Sequence, residues 1–226
     1  ERAKMARPRA ADYDAQRDRI LGRAVQAFAE IGYPSASMAA LADACGTSRA
    51  GLYHYYPSKE AILFASLDRY TDRLAAIVQS SHARGLAPRD EVRALVRAFL
   101  AEYRHSRAYH VALLNDVKFL DEPLRERIRA REREIVEAFA DALERGWPAR
   151  MAAGSRKPLT MALLGMINFT FAWLRPDGPM THEQYAELVI ALWERGLDGL
   201  PGSAASPGAP RPAAGPIDAT QQEISG

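Results

Sequence analysis

The chain has 226 residues, 48% of them apolar and a single one cysteine, at a formal charge of +2. That is enough apolar material for a full-sized core in one or two domains, and it excludes both an intrachain disulfide and a uniformly basic, polyanion-coating chain. Residues 1–60 carry 9 Lys and Arg against 7 Asp and Glu, so any contact with a polyanion must rest on where individual charges sit.

The pattern from end to end predicts helices. Residues 1–13 hold Arg2, Lys4, Arg7 and Arg9 with no apolar run, which predicts a flexible basic arm and no secretory leader. From Asp14 to Ile31, Ile20, Ala24, Ala27, Phe28 and Ile31 form one helical stripe. Ser37 then reads as an N-cap, followed by Met38, Leu41 and Ala42 on one face as far as Cys45, a small buried thiol expected in a reducing compartment. Gly46 supplies a sharp turn, and Ser48 caps a further short helix in which Leu52 and Tyr56 point to the core. On that helix Arg49, Tyr53, His54 and Tyr55 are left to face outward, while Ala50 and Gly51 keep its start thin.

Pro57 and Ser58 start a fourth helix, Lys59 to about Ser81, and Pro88 a fifth, to about His105. The sixth is expected near Arg107–Lys118, the seventh from Pro123 to Gly146, the eighth from Pro158 to about Arg175, and the ninth over Thr181–Leu197. Within the eighth, the apolar run Met161–Leu174 is too short for a bilayer core of ~30 Å, so no membrane partner and a cytoplasmic location are expected. Beyond Leu200 the composition turns to Pro, Ala, Gly and Ser, and 201–226 reads as a disordered tail. The fold class is all-α, with about nine helices. A three-helix module over 14–58 precedes a larger helical domain over 59–200, and the fourth helix belongs to both.

Two helices joined by a short turn with glycine, the second rich in outward donors, form a helix-turn-helix and predict major-groove binding. The segment GTSRAGLYHYYPSKEAIL, together with ILGRAVQAFAEIGYPSASM upstream, closely resembles the DNA-reading module of the TetR family of one-component regulators. The resemblance covers residues 14–65. It implies a homodimer on a palindromic DNA operator, a repressor released by a small-molecule effector, and Arg49 as a base contact. By the same resemblance Ala50, Gly51 and Tyr53 pack on base edges, and Ser37, Thr47, His54, Tyr55 and Lys59 hold phosphates. With the cap Ser48, these residues make up the DNA-facing set; the basic arm either reaches an adjacent minor groove or is an ordinary solvated terminus, and the alternative for His54 is a surface position without a contact. For Tyr55 and Tyr56 the plainer alternative is a core role.

The eighth helix is apolar nearly all round and must be covered on every side. The ninth carries Tyr185, Leu188, Val189, Leu192 and Trp193 on a stripe. In the family these two helices pair with their copies. Polar groups and aromatics interrupting apolar stripes mark the candidate effector residues Tyr103, Tyr109, Arg131, Phe139, Asn168 and Trp173. Alternatives are an ion pair of Arg131 with Glu134 or Glu132, a helix-to-helix hydrogen bond at the dimer seam for Asn168, and plain core roles for the aromatics. The segment GMINFTFAWLRPDGPMTHEQYAEL resembles the C-terminal domain of family members that sense acyl-coenzyme A thioesters, which implies that effector class. Five histidines occur without HExxH or paired carboxylates on an apolar face, so no enzyme, no metal and no cofactor are expected. A DNA-binding regulator of the same fold controlled by a protein partner is the alternative function.

Overall fold

The computed structural model describes residues 2–199 apart from Ala153 and Pro176, with side chains from Asp12 onward. The tail over 201–226 and the side chains of Arg2, Lys4, Arg7 and Arg9 lie outside the described residues. Among the described residues there are nine α-helices and no strand: α1 (Arg2–Ile31), α2 (Met38–Cys45), α3 (Arg49–Tyr55), α4 (Lys59–Ala83), α5 (Pro88–His105), α6 (Arg107–Asp116), α7 (Glu122–Gly146), α8 (Arg156–Asn168) and α9 (His182–Gly199). No helix among them is long and apolar enough to cross a membrane.

Most helix starts are local chemistry. The hydroxyls of Ser37, Ser48 and Ser58 accept from the amides of Ala40, Gly51 and Ala61 at 3.0–3.1 Å, and the Asp121 carboxylate does the same for Leu124. Thr181 and Gln184 exchange hydrogen bonds in a reciprocal capping box at the start of α9. At the end of α2, Gly46 sits at φ 65° and donates to the Asp43 carbonyl, while Thr47 donates to Ala42. That paired closure is a Schellman stop, and a left-handed residue is its requirement.

Two expectations are corrected. The stretch expected as a flexible arm over 1–13 is helical from Arg2 onward, continuous with α1. Ala, Arg, Lys and Met dominate it, all strong helix formers, and Pro8 alone withholds a backbone donor. The eighth helix does not reach Arg175. It starts before Pro158, at Arg156, and ends at Asn168, where a 3-10 turn (Phe169–Ala172) takes over. Side chains of α6 explain the stop, since His110 and Arg107 donate to the carbonyls of Asn168 and Phe171.

The packing has two centres. Around α1–α3, Ile20, Ala24, Phe28, Leu41 and Leu52 are almost wholly buried. Around α5, α7 and α9 the centre is Leu95, Phe99, Leu100, Phe139 and Leu143. Helix α4 joins them, burying Ile62, Leu63, Leu67 and Tyr70 completely and packing on α1, α5, α6 and α7. Full burial of each such side chain stabilises by roughly 1.5–3 kcal/mol. Ion pairs lie along the outside of the same helix: Arg69 with Asp18 of α1, Arg73 with Glu102 of α5, and Asp68 and Asp72 with Arg127 and Arg131 of α7.

Helices α8 and α9 bury one face each and leave the other open. Leu163, Leu164 and Ile167 point inward, as do Val189, Ile190 and Trp193. Met161, Leu188 and Leu192 are exposed, with Phe169 and Trp173 exposed beyond the end of α8. Replacement of Gly46 by alanine tests the Schellman stop. A Cβ there meets no atom within 4 Å but is held at positive φ, at a cost of roughly 1 kcal/mol. The expected outcome in a thermal melt is a Tm lower by about 2–4 °C.

Candidate nucleic-acid interface and effector cavity

Helix α3 is seated on the core by Leu52, which is fully buried, and by Tyr56 just beyond its end. That seating turns Arg49, Ala50, Tyr53 and His54 to solvent, with Tyr53 42% exposed. The Arg49 guanidinium rests 5.6 Å from the centre of the Tyr53 ring and has no ion-pair partner among the described residues. Gly51 is required by close approach, because a Cβ there would stand 2.6 Å from the Thr47 hydroxyl and 3.1 Å from that of Ser48. Thr47, Ser48 and Gly51 lie at the turn into α3 and Ser37 at the start of α2, with the Ser37 and Ser48 hydroxyls engaged as caps yet still on the surface.

Two members of the DNA-facing set are placed otherwise than the pattern suggests. Lys59 turns its ammonium to the carbonyls of Tyr33 at 2.9 Å and Pro34 at 3.3 Å, and lies over the Tyr33 ring at 4.4 Å. It ties the start of α4 to the α1–α2 corner. Tyr55 is half-buried, its ring 4.9 Å from that of Tyr13, which also meets His54 edge-on. Tyr13 escaped the sequence reading because it was assigned to a flexible arm. On a continuous α1 it becomes a wall of the module.

In the larger group of helices a cavity of about 60 Å³ lies between α4, α5, α6, α7 and the end of α8. Leu74, Phe99, Leu113 and Ile135 form its apolar lining, and Tyr103, His110 and Asn168 its polar side. The Tyr103 hydroxyl donates to the Asn168 side-chain oxygen at 2.7 Å, and the His110 ring is stacked on Tyr103 at 4.0 Å. His110 Nε2 lies 2.8 Å from the Asn168 carbonyl, which can only accept, so the proton is on Nε2 and Nδ1 accepts from the Tyr70 hydroxyl at 3.2 Å. Burial pushes His110 down to about 4, so the ring is neutral at physiological pH, and it pushes the Tyr70 and Tyr103 hydroxyls far above their ordinary value.

Of the six candidate effector residues the cavity unites Tyr103 and Asn168. Asn168 does make the helix-to-helix hydrogen bond, but within the chain, to α5. Arg131 is turned away, paired with Asp72 of α4 and within 3.8 Å of Glu134. Phe139 is core, edge-on to Phe99 at 4.8 Å. Tyr109 faces the other way, stacked on Tyr70 and under the Arg73 guanidinium, with its hydroxyl beside Gly22 of α1. Trp173 is 49% exposed and meets Tyr185 edge-on.

The residue not singled out as a site is Glu132. It lines the cavity and also an open groove of about 580 Å³ between α7 and α8, in which Arg129, Arg133, Arg156 and Lys157 stand. The signal was present, since Glu132 falls four residues after Ile128 and three before Ile135, on the buried stripe.

Comparison with known proteins agrees with this arrangement. Residues 20–66 match the model for bacterial regulatory proteins of the tetR family, and residues 85–197 match the tetracyclin repressor-like C-terminal domain. The chain belongs to the TetR family of bacterial transcriptional regulators, and it is a DNA-binding regulator rather than an enzyme. A TetR-family regulator from Bordetella parapertussis 12822 is 34% identical in its solved structure, with a TM-score of 0.75, covering 78% of this chain and 93% of that one. AibR, solved in complex with isovaleryl coenzyme A and operator DNA, is 26% identical at a TM-score of 0.71, over 78% of this chain and 97% of its own. The transcriptional activator FasR of Mycolicibacterium smegmatis is 27% identical over 83% of this chain and 85% of its length.

The neutral, buried His110 has a measurable consequence. Its folded value lies below the ordinary 6.5, so between about 4 and 6.5 the unfolded chain binds the proton more readily. The stability this ring contributes is complete above pH 6.5 and is lost as pH falls. Between pH 6.5 and 5 the loss is roughly 1.5 kcal/mol. In denaturant titrations at both pH values, His110→Gln is expected to lack that increment of pH dependence.

Proposed function

We propose that this protein is a homodimeric, effector-responsive repressor that holds two α3 helices in successive major grooves of a palindromic operator and releases it when an apolar or acyl-coenzyme A type molecule enters the α5–α8 cavity. The observation that carries the reading is the course of α4. Its first turn is anchored under the DNA-facing module by Lys59, and eleven residues on, roughly 17 Å away, its Tyr70 hydroxyl bonds to His110 in the cavity wall. A ligand that displaces His110 or Asn168 has a mechanical line to the recognition helix. It shifts the equilibrium only by its differential affinity for the two arrangements.

The other parts of the reading have separate supports. For base reading the support is Arg49, exposed, unpaired and beside Tyr53 on α3. For the dimer it is the run of exposed apolar side chains on α8 and α9, with Leu192 58% exposed. For the effector class it is the cavity with a basic groove at its mouth, and AibR as a relative solved with isovaleryl coenzyme A. For repression it is the repressor-like C-terminal match; FasR, an activator, makes the direction of regulation a matter for a reporter assay.

Fluorescence anisotropy with the intergenic DNA beside the protein's own gene, titrated with acyl-coenzyme A thioesters, tests the whole reading. Release at micromolar thioester is expected, and undisturbed binding across the panel removes the effector class. In the same assay Arg49→Ala is expected to weaken operator binding by roughly 1–3 kcal/mol. Leu192→Glu is expected to give monomers in analytical ultracentrifugation and to weaken operator binding with the fold unchanged by circular dichroism.

A further inference from the structure

Glu132 is a half-buried carboxyl on the apolar face of α7, flanked by Ile128 one turn before and Ile135 one turn after. It touches two spaces at once, the cavity beside Tyr103, His110 and Asn168, and the open basic groove. It has no ion-pair partner among the described residues. Its neighbour Arg133 is committed to Glu126, and Arg156 to Glu137, Asp141 and Glu144. The other polar groups of the cavity are bound to one another: Tyr103 donates to Asn168, and His110 spends both ring nitrogens on Asn168 and Tyr70. Among the described residues the Glu132 carboxyl is therefore the polar side chain of the cavity with no hydrogen-bond partner, while Arg129, three residues before it, stands on the groove side and draws on its charge.

We infer that Glu132 is the specificity-determining residue of the effector cavity: it accepts a hydrogen bond from an N–H or O–H donor on a ligand whose short apolar end fills the cavity, and it turns away the corresponding free carboxylate. The inference rests on the proposal that this cavity takes an effector. A carboxylate brought beside Glu132 places two negative oxygens together away from bulk water, which forces one of them to take up a proton. A donor in the same place satisfies a carboxyl whose burial makes an unpaired charge costly. Burial already pushes the Glu132 carboxyl above its ordinary range, and Glu132 in turn helps hold the Tyr103 hydroxyl un-ionised. The cavity volume of about 60 Å³ sets the length of the apolar end. At 10–15 Å³ per water-sized position it holds roughly four to six such atoms, enough for a branched four-carbon group. A thioester of coenzyme A carries sulfur where an amide carries nitrogen, and its first N–H donor, the pantetheine amide, follows two methylenes later toward the groove that holds Arg129 and Lys157.

Isovaleramide and isovalerate have the same shape and differ at the group that meets Glu132. Titrated by chemical-shift perturbation into the full-length protein, the amide is expected to bind at least about tenfold more tightly than the acid. In Glu132→Gln, which keeps the size and offers both a donor and an acceptor, the acid is expected to gain about tenfold while the amide changes by less than about threefold. Equal binding of the two probes to the unaltered protein, or an amide preference that survives in Glu132→Gln, overturns the inference. So does the absence of binding by either probe. Isovaleryl coenzyme A is titrated against operator-bound protein in parallel. If it fails to release DNA while the amide preference and its dependence on Glu132 hold, the thioester reading falls and the role of Glu132 stands.

Discussion

One uninterrupted helix with its ends in two different cores governs this molecule. An α-helix is stiff along its axis because each residue is held by a hydrogen bond to the next turn, so α4 links the position of Tyr70 to that of Lys59. The ion pairs along its flank, to α1, α5 and α7, fix it from three sides. Taken singly, exposed pairs of this kind are worth little. Their arrangement nonetheless matters, because each ties a different neighbour to the same rod and thereby sets its orientation.

Where the rod passes the cavity the interior is polar by necessity. Tyr70, His110, Tyr103 and Asn168 bring hydroxyls, a ring and an amide into a region otherwise made of leucine, isoleucine and phenylalanine, and burial of such groups is tolerated only when they satisfy one another. The result is a chain of hydrogen bonds crossing α4, α5, α6 and α8. It also ends α8, because the Asn168 carbonyl is occupied by His110 and the backbone beyond it tightens into a 3-10 turn. These bonds hold four helices in register.

The DNA-facing module follows a different logic. Its turn is closed by backbone and hydroxyl bonds within a dozen residues, and α1 holds it from behind through Arg23 to the Ala44 carbonyl and Tyr13 on Tyr55. Lys59 is drawn back to the α1–α2 corner, which leaves Arg49 as the exposed cation on α3.

The sequence by itself determined the elements whose causes are local. Ser37, Ser48 and Ser58 mark helix starts because a cap needs partners two or three residues away, and Gly46 marks a stop because one residue must be left-handed. The apolar stripes of α1, α4, α5 and α9 were legible for the same reason, as period and composition are written in adjacent turns. The tertiary structure alone decided everything that depends on who lies opposite. Arg131 could be seen to need an acid, but Asp72 is 59 residues away and its approach depends on how α4 crosses α7. Tyr109 and Tyr103 lie on neighbouring helices with similar sequence credentials, yet one faces α1 and the other the cavity. Glu132 was visible on a buried stripe, and only the packing of α7 against α5 and α8 shows that the stripe borders a space there. Side-chain partners separated by many turns are set by helix crossing geometry, and a one-dimensional pattern does not carry that geometry.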